Sequence, residues 1–493
     1  MKIEIQKIID VLQWPPTPAA GGVKYQWIYN AMKQAILASD LPHGSDLPPT
    51  RALAEAMGIS RSTILKVYDL LKLEGLLLAT IGSGHTVHVP SAAQHTPRIS
   101  PAAEYQYAEV SEAAAAFHKN LKLINSIDDP GVAFRPGVPP LDLFPVAKWK
   151  KISNEYWQFV RASELSYYAG AGVEVLRQTI ANYLNLRRNV KCHYSQVFVV
   201  SGSLQSLYTI GNLLLNPGDE VLVENPTFPN VHSVFKGFRA KVTGVGLDEN
   251  GLNPVELEEK IGTKTKLLHL TTSCQYPFGM QMPVQRKAEI LALANQHGMY
   301  IIENDYENEV NYPNHDGRPL FSLDTQQRTF YLGTFNRILH PSIRVGFVVV
   351  PQHLVPNFQA LVMHSHRFVS PAVQVILRSF IEKKFLHDHL KNVVLEAEKR
   401  HATFLALMKE HLHNYLEPLP MQAKSLHIVA LLKGNLREES ILPRLAEIGI
   451  IAHALSKCYV ETPKKQGLIF GYACIKSQHI APLIKRMAKV LHG

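Results

Sequence analysis

The chain has 493 residues, 46% of them hydrophobic and 19% charged, with a formal net charge of +10. That length exceeds one ordinary core and points to two or three domains of a soluble globular protein. No apolar run approaches the roughly 18 residues of a membrane span, and the charged N-terminus MKIEIQKIIDVLQW reads as neither signal peptide nor anchor. Four widely spaced cysteines (Cys192, Cys274, Cys458, Cys474), with no CxxC pair, point to a reducing cytoplasm and away from a structural zinc site. Residues 1–90 hold eight Lys/Arg against seven Asp/Glu, so bulk charge makes no case for nucleic acid there. A motif has to make it.

After an N-terminal extension (1–24), residues 25–39 place Trp27, Ile28, Ala31, Ala35, Ile36 and Ala38 at helical spacing. Pro48 and Pro49 mark a turn, Thr50 is a candidate cap for a helix through Ala56–Met57, and Gly58 ends it. Ser60 is the N-cap expected for the next helix, whose apolar stripe is Ile64, Val67, Leu70 and Leu71. Two short helices around a glycine turn make a helix-turn-helix. The first turn of the second helix, with Arg61, Ser62 and Thr63, is the part that enters a major groove. LLLATIGSGHTVHV then reads as two strands around Gly82-Ser83-Gly84, a wing. The order helix, PPTRALA, SRSTI, EGLL, GSG resembles the GntR-type winged helix over 25–90. The resemblance implies that Arg51, Ser60, Arg61, Ser62, Thr63, Gly82 and Gly84 face double-stranded DNA. Asp46, Thr80 and Ile81 depart from it, standing where relatives often carry basic residues.

Residues 91–130 are rich in Pro, Ala and Ser and read as a linker with at most a short helix at 110–121. From 131 to 493, β-rich runs (QVFVVSG, DEVLVENP, KLLHLTTS, MYIIENDY, TFYLGTF, RVGFVVVP) alternate with helical ones. Alternation of that kind predicts an α/β domain with a mostly parallel central sheet and ligand chemistry beyond the strands' carboxyl ends. A small C-terminal subdomain is expected from about 385.

The blocks SYYAGAGVEVLR, VSGSLQSL, NPGDEVLVENPTFPN, TTSCQYPFGMQMP, IIENDYENEV and YLGTFNRILHPSIRVGF, in this order, resemble the fold-type I aminotransferases in their MocR-type regulator version. A pyridoxal phosphate site needs an amine nucleophile, a carboxylate for the ring nitrogen, an aromatic platform and a phosphate cup. The resemblance implies a cup from Gly202, Ser203, Leu204, Thr334 and Arg344, a platform at Phe228, and pocket positions at Tyr276, Tyr306 and Asn336. It also puts Arg337 in the place of the Schiff-base lysine and Asn304 in that of the aspartate. A guanidinium stays protonated and forms no Schiff base, and Asn304 brings no charge to the ring nitrogen. Asp305, pointing to the other face of the strand, is a poor substitute.

The expectation is a DNA-binding transcription regulator, catalytically inactive and homodimeric. Its aminotransferase-like domain would sense a phosphate- or carboxylate-bearing effector, with pyridoxal phosphate possible but not as a lysine Schiff base. An active pyridoxal phosphate-dependent aminotransferase with a DNA-binding appendage, and a regulator on a vestigial, ligand-free scaffold, are the alternatives. Twenty-three histidines show no zinc spacing (His364 and His366 are two apart), and His85 and His88 are candidates for DNA backbone contact. Cys274 is a candidate pocket-lining residue, and the basic runs at 187–191 and 464–465 read as solvated faces.

Overall fold

Ile28, Met32, Ala35 and Ile36 recur at helical spacing and become the buried face of α2 (Tyr25–Leu37), while Trp27 and Ala38 stay exposed. The computed structural model describes residues 2–14, 25–80, 84–89, 108–123, 133–311 and 317–492, and the chain divides into two compact units, Met1–Glu109 and Val110–Gly493.

In the first unit, α1 (Ile5–Val11) and α2 precede α3 (Thr50–Ala56) and α4 (Arg61–Leu73). Strands β1 (Asp46–Leu47), β2 (Leu77–Thr80) and β3 (Gly84–Val87) form an antiparallel sheet in the order β1-β3-β2. Helix-turn-helix and wing are therefore both present. Gly82 and Ser83 lie outside the described residues; Gly84, at φ +95°, opens β3 in a conformation that favours glycine. The N-terminal extension is not an appendage, because Ile3, Ile8 and Leu12 are buried in the same core as α2 and α4. Trp14 Nε1 also donates to the Met57 carbonyl at 3.0 Å. Thr50 does not cap α3: it is the first helical residue, and extended Pro49 precedes it without a side-chain bond. The Pro48 carbonyl accepts instead from Tyr68 Oη at 3.0 Å, which draws Tyr68 into the core in place of half-buried Leu70.

Ser60 caps α4, its Oγ accepting from the Thr63 N–H at 3.2 Å. Ser60→Ala is expected to cost about 1 kcal/mol of helix stability, read in the full-length protein as faster amide exchange at Thr63. Unchanged exchange there would discard the cap.

The larger unit is built on a seven-stranded sheet. Its strands are β4 (Val197–Val200), β5 (Glu220–Glu224), β6 (Lys241–Val245), β7 (Thr265–Leu270), β8 (Tyr300–Asn304), β9 (Thr329–Thr334) and β10 (Gly346–Val349). They lie in the order β4-β10-β9-β8-β7-β5-β6; β10 is antiparallel to both neighbours and every other pairing is parallel. Every residue of β4, β5 and β10 is buried, as helices on both faces require. The smaller layer pairs the 27-residue helix Phe385–His411 and helix Ser477–His492 with an antiparallel sheet of Leu416–Pro418, Ile428–Leu432, Gly467–Phe470 and His453–Ala454. Phe134, from far earlier in the chain, sits in this layer's core, its ring 5.1 Å from Phe404.

The short helix expected near 110–121 is α5 (Glu112–Asn120). It belongs to the larger unit rather than to a free linker: its Phe117 ring packs edge-on against Phe238 at 5.4 Å.

Candidate functional site

Three parallel strands end at one place. β4 ends before Gly202, the N-cap of helix Ser203–Leu214, while β8 ends at Asn304 and β9 at Thr334. Beyond them lies a cavity of about 210 Å³. Ten of the expected pocket residues line it: Gly202, Ser203, Leu204, Phe228, Asn304, Tyr306, Thr334, Asn336, Arg337 and Arg344. Gly202 takes φ +139°, and a Cβ there would stand 3.2 Å from Asn336 Nδ2 and 3.5 Å from the Arg344 guanidinium. Glycine thus lets both side chains approach the helix start, whose first N–H groups have no intrahelical partner and favour an anion. Asn336 braces the far wall. Its N–H donates to Thr334 Oγ1 at 3.1 Å, and its Oδ1 accepts from the Val345 N–H at 3.0 Å. That bond holds the turn in which Arg344 adopts a left-handed φ of +50°.

Tyr276 does not line the cavity among the residues described. It is buried behind Phe228, the two rings stacked at 3.8 Å and 10°. It supports the aromatic platform from the rear. Cys274 is likewise behind the wall, accepting from Tyr306 Oη at 3.6 Å, and burial pushes its thiol up to about 12. It is no nucleophile.

Arg337 lies between the aromatic rings, its guanidinium carbon 5.0 Å from the Tyr306 centroid and 5.6 Å from that of Phe228. It adds no uncompensated charge to the cup, because it donates to Glu307 Oε1 at 3.1 Å. The fully buried Glu307 also accepts from Ser425 Oγ at 2.6 Å and the Leu426 N–H at 3.3 Å. Gly137, at φ +84°, lies against the guanidinium; a Cβ there would be 3.1 Å from its central carbon. Sequence reading missed Glu307, Gly137 and the cavity-lining Asn230, although Glu307 and Asn230 fall inside motifs already singled out (IIENDYENEV, NPGDEVLVENPTFPN).

Asn304 is 5% exposed, and its side-chain amide meets His269 Nε2 at 3.5 Å. Its neighbour Asp305 points the other way, into a buried cluster with Arg188 at 2.9 Å and the hydroxyls of Ser273 and Tyr331. Arg188 also meets Glu309 at 2.6 Å. The basic run at 187–191 is therefore not wholly a solvated face. His88 is half-buried and its Nδ1 bonds the Gly75 carbonyl at 2.9 Å, which leaves Nε2 as the ring nitrogen for a DNA backbone contact. Asp46 accepts from Thr86 Oγ1 at 2.8 Å across the wing sheet, which gives the departure at that position a structural role. In the helix-turn-helix, Arg51, Arg61 and Ser62 are exposed and Thr63 is half-buried. The Ser60 hydroxyl is engaged with Ser62 Oγ at 2.9 Å and Thr63 Oγ1 at 2.7 Å, so the cap and the groove-facing turn are one structure.

Burial pushes His269 down to about 3, keeping it neutral when folded. A folded pKa below the unfolded value gives stability that is complete above about pH 6.5 and lost as pH falls toward 3. The loss is about 1.4 kcal/mol per pH unit in that window. Unfolding free energies from urea titration at pH 7 and pH 4.5 are expected to differ by about 2–3 kcal/mol less in His269→Gln than in the natural protein. Parallel behaviour of the two proteins would sink this.

The pyridoxal phosphate implied by the sequence resemblance fits these residues in part. The helix start and Arg344 suit its phosphate, and Phe228 suits its ring. Among the described lining residues there is no lysine. Such a group supplies an electron sink and an aldehyde when bound; these residues provide for its anchoring alone.

The sequence model of the family Aminotransferase class I and II matches residues 134–486, and that of Bacterial regulatory proteins, gntR family, matches 24–87. The chain is 28% identical over 453 residues to the Probable rhizopine catabolism regulatory protein MocR of Rhizobium meliloti, covering 92% of this chain and 90% of that one. It is also 28% identical to the Uncharacterized HTH-type transcriptional regulator YhdI of Bacillus subtilis, covering 94% of each. Among solved structures it resembles an archaeal alanine:glyoxylate aminotransferase, with TM-score 0.69 and 23% identity over 80% of this chain and 99% of that chain. Across residues 134–486 this chain belongs to the aminotransferase class I and II family, and in front of that domain it carries one of the gntR family of bacterial regulatory proteins.

Proposed function

We propose that the chain is a transcription regulator that reads duplex DNA with its N-terminal unit and senses a small phosphate-bearing ligand, without covalent attachment to lysine, in the cavity of the larger one. The observation that carries this reading is an anion cup with an aromatic platform in a cavity whose one long cationic side chain between the rings, Arg337, is already paired with Glu307. On the resemblance, Arg337 stands in the lysine's place and Asn304 in the aspartate's, which argues against an active aminotransferase. The pairing also favours a ligand whose single anionic group sits at Gly202 and Arg344 over one with a second carboxylate at Arg337. Relatives named as regulators over nine-tenths of the chain support the DNA-reading half.

Exposed apolar side chains support a homodimer. Trp157, Phe159, Leu165 and Tyr167, all within eleven positions of one another, are 56%, 72%, 62% and 82% exposed. Two copies would carry two DNA-reading heads for paired half-sites.

The test uses a duplex selected by the full-length protein from a random pool. Its affinity is measured with and without pyridoxal phosphate, and then against a panel of phosphorylated metabolites. Arg61→Ala is expected to weaken binding about tenfold, within the 1–3 kcal/mol of a base-edge contact. A ligand that saturates the cavity is expected to change duplex affinity, because it must favour one arrangement of the protein over another. DNA binding indifferent to the whole panel would leave a constitutive binder on a ligand-free scaffold.

A further inference from the structure

Two helices start at the cavity and end together elsewhere. Helix Ser203–Leu214 begins at the anion cup, and helix Pro229–Gly237 begins just after Phe228, with Asn230 in the cavity wall. Both run to α5, the first helix described after the stretch joining the two units. The Phe117 ring of α5 lies 5.6 Å from Tyr208 on the first helix and 5.4 Å from Phe238 at the end of the second.

The contact has no slack. A Cβ at Gly237 would stand 2.3 Å from Phe117, and one at Gly211 would stand 2.4 Å from Phe238. Close-packed groups of this kind transmit a displacement instead of absorbing it. Ser233 Oγ, midway along the second helix, donates to the Asn120 carbonyl at the end of α5 at 3.0 Å, and Glu112 pairs with Arg239.

The other partner in this contact is weakly held. Helix α5 has nine residues and none of them is buried. A helix that short does not persist alone in water, so it exists while it is seated. At the cavity end, Asn230 Oδ1 is buried without a hydrogen-bond partner among the described residues. A ligand donor meeting it would act on the first turn of helix Pro229–Gly237, whose last residue bears on Phe117.

We propose that α5 is a seated-or-melted sensor of the cavity, coupled to it through the two helices that converge on Phe117. This rests on the reading of the cavity as a ligand site. A ligand that steadies the two helix starts holds α5 in place, and loss of the ligand frees it, which alters the tether of the DNA-reading unit.

The test is hydrogen–deuterium exchange on the full-length protein with pyridoxal phosphate, occupancy being checked by calorimetry on the same sample. Amides of Glu112–Asn120 are expected to exchange at least about threefold more slowly at saturation, while helix Val284–His297 is unaffected. Saturation with no change in α5, or an equal change in both helices, overturns the proposal and leaves the ligand site standing. If calorimetry detects no binding, the ligand reading fails for this probe and a ligand-free arm decides. Phe228→Ala, with Phe228→Leu as the milder variant, is then expected to speed α5 exchange at least about threefold. Exchange equal to that of the natural protein in both variants overturns the coupling.

Discussion

Arg337→Lys is expected to turn reversible binding of pyridoxal phosphate into a borohydride-reducible covalent adduct, about one per chain, where the natural protein gives none. Side chain 337 already reaches between the platform ring and Tyr306, within 5–6 Å of both centroids. Reach is therefore in place and nucleophilicity is what is lacking: a guanidinium stays protonated, whereas an amine can shed its proton. Glu307 opposes the change, because a carboxylate 3.1 Å away favours the charged form of whatever cation faces it. Adding Glu307→Gln is accordingly expected to raise adduct yield near neutral pH. Intact mass after reduction decides. A single variant that gains no mass at any pH would mean that residue 337 does not face the ligand. An adduct in the natural protein would revive the aminotransferase reading.

Arg188→Met is expected to destabilise the larger unit by about 3–5 kcal/mol, the cost of leaving buried charge uncompensated. The Arg188, Asp305 and Glu309 side chains are 4%, 1% and 7% exposed, so solvent cannot screen the two carboxylates once the guanidinium is gone. Arg188→Met combined with Asp305→Asn is expected to recover part of the loss, since one of the stranded charges then disappears as well. Urea unfolding of full-length protein, followed in the transition of the larger unit, gives the comparison. A loss below about 1 kcal/mol would show that the cluster is stabilised mainly by its hydroxyl partners, Tyr331 and Ser273.

Local pattern carried much of this fold. QVFVVSG, MYIIENDY and RVGFVVVP are β-rich runs bounded by turn residues, and all three became strands of the seven-stranded sheet. The edge strand Lys241–Val245 escaped, because a five-residue run with lysine and glycine in it has little apolar signal. Long-range pairing was the other blind spot. Arg188 read as one cation in a basic run, and its partners Asp305 and Glu309 are more than a hundred residues away. Thr50 had the composition of a cap, but the Pro49 carbonyl accepts from the Leu53 N–H at 3.1 Å, so the helix starts one residue earlier, at Thr50 itself.

At the site, the residues expected to line a pocket did so where the motif fixed the backbone, as at Gly202, Asn336 and Arg344. The exception is Tyr276. Its place depends on which ring stacks on which, and no spacing rule records that. The Arg337–Glu307 pair was hidden for the same reason, each half lying in a separate motif.

Beside Thr334 and Arg344, the cup at Gly202 opens on the first main-chain N–H groups of a helix, and such groups survive most codon changes that would remove a side chain. Side chains that perform chemistry are each a single mutational target. A main-chain N–H is present whatever residue except proline bears it, provided that the backbone keeps its course, which at φ +139° depends chiefly on one glycine. Under relaxed selection, such a pocket is expected to lose its reactive groups long before it loses its hold on an anion. Lineages of this fold that abandon catalysis would thus begin their next role with a serviceable anion receptor already in place.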